Sequence, residues 1–198
     1  MKNQELGVRL AVPRPLRIYL TDLAHDYVHG NFTVPYNIGL LAAYLEHHFR
    51  SQVEIKLFKS TGHFLDAIKT DQAPDIVGFS NYLWNQQLNH RMMEKVNQRF
   101  PDAVLCMGGP LIRTDARGIS DFLRKYNALD YYAMYEGEMP LGNLVEYFLS
   151  KGKIIKKEAC DTKIPGVAYL FHNELVFPKL EFKKGMIENV PSPYLTGW

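Results

Sequence analysis

Cysteine is nearly missing from this chain of 198 residues. The two that occur, Cys106 and Cys160, lie in an apolar run and in a charged stretch. Two thiols cannot supply a structural zinc site of about four ligands, and they give no support to a disulfide framework. An excess of charge of one sign is also missing. The formal net charge is +2, and no Lys/Arg cluster is long enough to mark a nucleic-acid surface. Lys151, Lys153, Lys156 and Lys157 read as the solvated side of a linker. Long apolar runs are absent too. Nothing approaches the roughly 20 residues of a membrane span, and the opening Met1-Lys2-Asn3-Gln4-Glu5 lacks the apolar core of a secretory signal. The expectation is a cytoplasmic protein with neither a membrane nor a nucleic acid as partner.

What is present is alternation. Runs with strand character cover 17–20, 53–58, 75–80, 103–107 and 131–134. Most are continuously apolar, as strands buried on both faces are. The run 53–58 instead alternates Val53, Ile55 and Leu57 with Glu54 and Lys56, which suits a strand near an edge. Helical stripes separate the runs. Ile38, Leu41, Leu45 and Phe49 follow Pro35, a residue that fits a first helical turn. Phe64, Leu65 and Ile68 mark a short helix, and Leu88, Met92, Val96 and Phe100 a longer one. Thr114-Asp115 can cap a helix through Ile119, Phe122, Leu123 and Tyr126, and another helix starts at Glu138. Core packing accounts for these stripes.

Strand and helix repeated in this way predict an α/β fold with a doubly wound, five-stranded parallel sheet. The expected class is flavodoxin-like (Rossmann-like), with strand order 2-1-3-4-5, although the pattern also admits 3-2-1-4-5. The expected domain spans 1–150. From 151 to 198 the reading is a polar linker, a β-hairpin turning at His172-Asn173, and a tail held extended by Pro191 and Pro193. A lone hairpin is marginal in water, so it must pack on something.

Ligands of such sheets bind at the carboxyl ends of the strands. Those ends carry Thr21-Asp22, Ser80-Asn81-Tyr82, Met107-Gly108-Gly109-Pro110 and Tyr135-Glu136-Gly137-Glu138. The glycine pair either admits a ligand against the backbone or makes a tight turn, and the sequence leaves both open. Several sites are excluded. The loop after the first strand has only Gly30, so there is no dinucleotide fingerprint, and a P-loop is absent. A receiver domain needs Asp where Ser80 stands and Lys where Glu136 stands. A flavodoxin phosphate loop does not tolerate the bulky Tyr27 and Phe32. No Ser-His-Asp arrangement can be assembled.

An ordered set of motifs resembles the N-terminal cobalamin-binding domain of radical SAM proteins, the methyltransferase and Mg-protoporphyrin monomethyl ester oxidative cyclase-like superfamily. The set is NFTVPYNIGLLAAYL (31–45), PDIVGFS (74–80), MGGP (107–110), YEGE (135–138), IPGVAY (164–169) and PSPY (191–194). The resemblance implies a corrinoid across the carboxyl edge of the sheet. Ser80, Asn81, Gly108, Gly109 and Pro110 would line a groove for its nucleotide tail. Thr21, Thr33, Tyr36, Glu136 and Glu138 would rim the corrin, together with Asp22, Tyr82 and Gly137; Tyr82 and Trp84 either cover the corrin face or simply pack.

Two departures alter the expected chemistry. Cobalamin domains with a histidine cobalt ligand carry D-x-H-x-x-G after the first strand; counting from Asp22, Ala24 and Tyr27 occupy the His and Gly positions. The expectation is base-off cobalamin without a histidine ligand, with His25, His29 and His63 read as solvated. Radical SAM chemistry also needs three cysteines for a [4Fe–4S] cluster, which this chain lacks. The cluster and S-adenosylmethionine are therefore expected in a downstream radical SAM domain in cis, making this chain a non-catalytic cofactor module. The alternative is a cobalamin-free docking or substrate-selecting domain of the same architecture. An unrelated α/β enzyme ranks below both, because no nucleophile and base occur together.

Overall fold

The computed structural model describes residues 8–10, 14–24, 35–179 and 190–198, with backbone alone for 8–10. The parallel strands are β2 (Leu16–Ala24), β3 (Val53–Ser60), β4 (Ile76–Ser80), β5 (Val104–Gly108) and β6 (Tyr131–Ala133). Their spatial order is β3-β2-β4-β5-β6, the expected 2-1-3-4-5. The alternating strand β3 is the edge strand, as its half-polar face requires.

Helices cover both faces. Tyr36–Phe49 (α1) and Glu138–Lys151 (α5) pack on one face over Leu16, Ile18, Ile76, Val104 and Tyr131. Thr61–Thr70 (α2), Gln86–Arg99 (α3) and Ala116–Lys125 (α4) pack on the other over Tyr19, Val77, Phe79, Leu105 and Tyr132. Successive strand residues point to opposite faces, so the continuous apolar runs feed both cores. The neighbouring strands β2 and β4 lead into helices on opposite faces, α1 and α3. That divergence opens a crevice at their carboxyl ends. The Asp115 carboxylate caps α4, accepting from the Gly118 N–H at 2.9 Å, as its sequence predicts.

The hairpin is β8 (Val167–Phe171) and β9 (Glu174–Val176). It is not a separate appendage. β8 pairs antiparallel with β6, extending the sheet to seven strands among the described residues. His172 and Asn173 at its tip both have positive φ, 47° and 67°, the backbone of a two-residue type I′ turn.

The linker reading of 151–163 needs correction. Lys153–Ile155 forms β7, paired antiparallel with β1 (Val8–Leu10). Ile154, Ile155, Cys160 and Ile164 are buried, and the Tyr131 hydroxyl donates to the Ile155 carbonyl at 2.8 Å. Nor are all the lysines solvated. Lys156 lies 3.4 Å from the buried Asp130 carboxylate, and Lys157 donates to the carbonyls of Asn127 and Leu129. Polarity in sequence concealed the segment because these ammonium groups neutralise and cap buried acceptors.

The extended tail is also corrected. Pro193–Thr196 forms a short helix, α6, with proline in its first turn. It docks on α1. Pro193 packs over Gly39, the Tyr194 ring stacks on Tyr36 with centroids 5.7 Å apart, and the Trp198 indole N–H donates to Glu46 at 2.8 Å. Removing both aromatic groups (Tyr194→Ala with Trp198→Ala) is expected to lower the thermal midpoint by about 2–4 °C, since a stacked pair and an exposed hydrogen bond contribute about 1 kcal/mol together. A melting curve followed by circular dichroism checks this; an unchanged midpoint would show that the dock contributes nothing to stability.

Candidate cofactor site

The crevice opens into a cavity of about 410 Å³ between the sheet and the first turns of α1 and α5. This lies within the range of small-ligand sites. Its floor follows from a change of side-chain size along each strand. On the α1/α5 face the lower halves of the strands carry Ile18, Ile76, Val104 and Tyr131, whereas the upper halves carry Gly78, Ser80, Cys106, Gly108 and Ala133. The strand register sets these small residues side by side: Gly78 opposite Cys106, Ser80 opposite Gly108, and Gly108 opposite Ala133. Helices that pack on the bulky half therefore stand clear of the small half. Leu20, Ile38, Leu41 and Leu141 form the walls, and Tyr36, Tyr82, Tyr135 and Glu136 surround the mouth.

A hydrogen-bonded network fixes the β2 and β4 ends. The Ser80 hydroxyl donates to the Asp22 carboxylate at 2.6 Å, and the Asn85 amide donates to the Ser80 oxygen at 2.8 Å and to Asp22 at 3.4 Å. The Asn85 oxygen accepts the Tyr82 N–H at 2.9 Å, and Asn89 donates to the Ser80 carbonyl at 2.6 Å. Asn85 and Asn89 are fully buried, and the network sets Ser80 and Tyr82 firmly at the cavity edge.

The glycine pair divides its labour. Gly108 continues β5 and faces the cavity. Gly109 has φ +134°, and a Cβ there would lie 2.7 Å from the Asn81 carbonyl oxygen. The chain crosses so closely because Asn81 donates its N–H to the Gly108 carbonyl at 2.6 Å. The Tyr132 hydroxyl adds a bond to the Gly109 carbonyl at 2.7 Å.

The structure thus brings Tyr36, Ser80, Tyr82, Gly108, Gly109, Pro110, Glu136, Gly137 and Glu138 together around one cavity. It does not place Thr21, Asp22 or Asn81 on the lining. Thr21 is fully buried, and its hydroxyl has no partner among the described residues. Asp22 acts through Ser80. The Asn81 amide donates to the Leu111 carbonyl and the Tyr132 hydroxyl, bracing the turn from beneath. The expectation that Thr21 rims and Asn81 lines the site is corrected accordingly: neither side chain is on the cavity lining. Thr33, His25 and His29 lie outside the described residues. His63 sits in the first turn of α2, on the opposite face. The sequence reading missed Gly78, Cys106, Ala133 and Asn85. The signal for the first three exists, small residues two apart on adjacent strands, but it is legible only once the strands are in register.

Two titratable groups on the lining are perturbed. Burial pushes the Cys106 thiol up to about 12, which leaves it neutral and chemically inert on the floor. Burial, then repulsion from Glu136, holds the Glu138 carboxyl above its ordinary range. Trp84 stands outside the mouth, 63% exposed, its ring stacked on Tyr82 at 4.5 Å and nearly parallel. Among the described residues no His/Cys/Asp/Glu group can hold a metal ion, and no helix is long and apolar enough to cross a membrane.

No family model matches the chain. The cobalamin-dependent radical SAM methyltransferase TokK of Streptomyces tokunonensis is 31% identical over 125 residues, 63% of this chain and 17% of that protein. This chain is similar to part of a cobalamin-dependent radical SAM enzyme. A second relative is the 2-(S-pantetheinyl)-carbapenam-3-carboxylate methyltransferase of Streptantibioticus cattleyicolor, 26% identical over 168 residues, 83% of this chain and 23% of that protein. The radical SAM enzyme OxsB, solved with aqua-cobalamin and S-adenosylmethionine bound, superposes on 92% of this chain with a TM-score of 0.63, at 18% identity and over 25% of its own length. That match establishes the shared fold. The chain thus spans a quarter or less of the length of these proteins.

The cavity fits part of a corrinoid. It is mostly apolar and floored by glycine, alanine, serine and cysteine. A planar heterocycle on a sugar-phosphate arm would suit that lining.

Proposed function

We propose that this chain binds cobalamin as the cofactor module of a radical SAM enzyme such as a methyltransferase or cyclase. The observation that carries the reading is the small-residue floor of Gly78, Ser80, Cys106, Gly108 and Ala133 at the point where β2 and β4 diverge. That floor, between α1 and α5, would hold the nucleotide arm. Tyr36, Tyr82 and Glu136 at the mouth, with Trp84 stacked on Tyr82, would hold the corrin. The binding mode is base-off without a histidine ligand, because the nucleotide base cannot both fill the cavity and reach cobalt, and Ala24 stands where the ligand histidine would be. When bound, the corrinoid supplies the cobalt centre for methyl transfer or radical chemistry. The residues of this chain orient the arm, exclude water from the groove and keep the Cys106 thiol protonated. The [4Fe–4S] cluster and S-adenosylmethionine belong to a radical SAM domain carried in cis, a reading supported by the much greater length of the relatives.

The test is retention of hydroxocobalamin after removal of free ligand, read by visible absorption. The protein is expected to retain about one equivalent with a base-off spectrum. Ala133→Phe places a ring in the cavity without altering a glycine. It is expected to weaken retention by about 100-fold or more at an unchanged circular dichroism spectrum. A folded protein that retains no corrinoid at high cobalamin overturns the reading in favour of a cobalamin-free docking module. Undiminished retention by Ala133→Phe overturns the placement, and a base-on spectrum overturns the binding mode.

A further inference from the structure

Glu138 is the first residue of α5, a helix of 14 residues, and it lines the cavity. It is 8% exposed. Among the described residues no cation pairs with its carboxylate, and its one hydrogen bond is to its own backbone N–H. Burying a carboxylate with so little compensation is unfavourable. The positive end of α5 offsets part of that penalty, but a helix start does not require burial. Asp115 caps α4 with its carboxylate open to solvent, 48% exposed. The surroundings of Glu138 supply acceptors and rings rather than cations: Glu136 precedes it on the same loop, Tyr44 faces it from α1, and Tyr36, Tyr82 and Tyr135 complete the lining. Among the described residues the scaffold gives this carboxylate no donor beyond its own backbone N–H.

We infer that Glu138 is a specificity-determining residue: its carboxylate accepts an N–H from a ligand carboxamide and rejects a carboxylate at the same position. This rests on the cobalamin reading above. The periphery of a corrinoid carries primary carboxamides, each with two N–H donors, whereas corrinoids with unamidated side chains carry carboxylates there. A buried carboxylate acceptor separates the two, because the amide satisfies it and the acid repels it. The Ser80 hydroxyl is already engaged with Asp22, and the other carboxylate on the lining, Glu136, is exposed to solvent.

The experiment compares cobalamin with its monocarboxylate derivatives, in which one peripheral amide is hydrolysed, on the native chain and on Glu138→Gln. The native chain is expected to bind cobalamin at least tenfold more tightly than one monocarboxylate isomer. Glu138→Gln is expected to lose about tenfold for cobalamin and to abolish the preference against that same isomer. An unchanged preference in Glu138→Gln overturns the inference. The ligand-free melting midpoint gives a second, independent reading. A buried acid that favours its neutral form penalises the fold once pH rises above the unfolded carboxylate value. Glu138→Gln is therefore expected to raise the midpoint by about 2–4 °C at neutral pH, with the gain vanishing below the ordinary carboxylate range. A lowered midpoint would make Glu138 a structural residue and sink the inference. If the native chain binds no corrinoid, the cobalamin reading has failed and this inference falls with it. If it binds both amide and acid forms equally, the inference alone has failed.

Discussion

Replacing Gly109 by alanine is expected to lower the thermal midpoint by about 6–15 °C, while alanine at Gly108 lowers it by only a few degrees. The two glycines are adjacent and look alike in sequence, yet only Gly109 has a positive φ, +134°. A side chain in that backbone region is strained by about 1–3 kcal/mol. Its Cβ would also stand 2.7 Å from the Asn81 carbonyl oxygen and 2.9 Å from the Asn81 nitrogen. Both are backbone atoms already held by hydrogen bonds, so neither can retreat without loss: the Asn81 N–H donates to the Gly108 carbonyl, and the Asn81 carbonyl accepts from Leu111. Strain and broken bonds together come to about 3–5 kcal/mol, and each kcal/mol moves the midpoint by about 2–4 °C in a protein of this size. At Gly108 the nearest backbone atom is the Ala133 carbonyl oxygen at 3.2 Å, and the φ is ordinary, so a small adjustment suffices. Thermal melts of the two variants side by side decide the matter. Equal midpoints would show that the pair acts as one loose turn.

Asp75 supports the second large effect. Asp75→Ala is expected to cost about 3 kcal/mol of stability, close to 10 °C in midpoint. The carboxylate is 3% exposed. Its two oxygens accept from both terminal nitrogens of Arg14 at 2.7 and 2.9 Å, and one also accepts the Arg17 N–H at 2.9 Å. A planar guanidinium held by both oxygens is among the stronger pairings available to a side chain. The Asp75 backbone adds bonds to the Arg17 carbonyl and from the Val104 N–H, so this residue ties β4 to both neighbours at their amino ends. Truncation leaves the Arg14 charge and the Arg17 N–H without their acceptor. The cavity lies at the other end of the same strand. Corrinoid retention by Asp75→Ala, measured well below its midpoint, is therefore expected to match the native chain. Retention lost at full folding would mean that the two ends of β4 are coupled.

This division within the segment 74–80 shows how much was legible beforehand. PDIVGFS reads as one motif, but Asp75 builds the sheet, Val77 and Phe79 feed the α2/α3/α4 core, and Gly78 and Ser80 floor the cavity. Alternation reveals that two faces exist without revealing which face holds a ligand. The wall residues Leu41 and Leu141 read correctly as helix stripe, because a cavity wall and a core obey the same periodicity. The stretch 151–163 was obscured for the opposite reason, since its polar residues cap buried groups contributed by distant parts of the chain.

The sequence by itself determined the α/β class, the edge strand β3, the Asp115 cap of α4, the hairpin turn and the similarity to cobalamin-dependent radical SAM enzymes. Each of these is local, written in residue spacing or in a motif read along the chain. Only the tertiary structure decided the rest. The order of the strands sets Gly78, Ser80, Cys106, Gly108 and Ala133 in one floor, the close crossing of Asn81 makes Gly109 obligatory, and the first turn of α5 carries Glu138 to the cavity with no cation paired to it among the described residues. These depend on distances between residues that lie far apart in the chain, and spacing along a sequence does not encode such distances until the chain has folded.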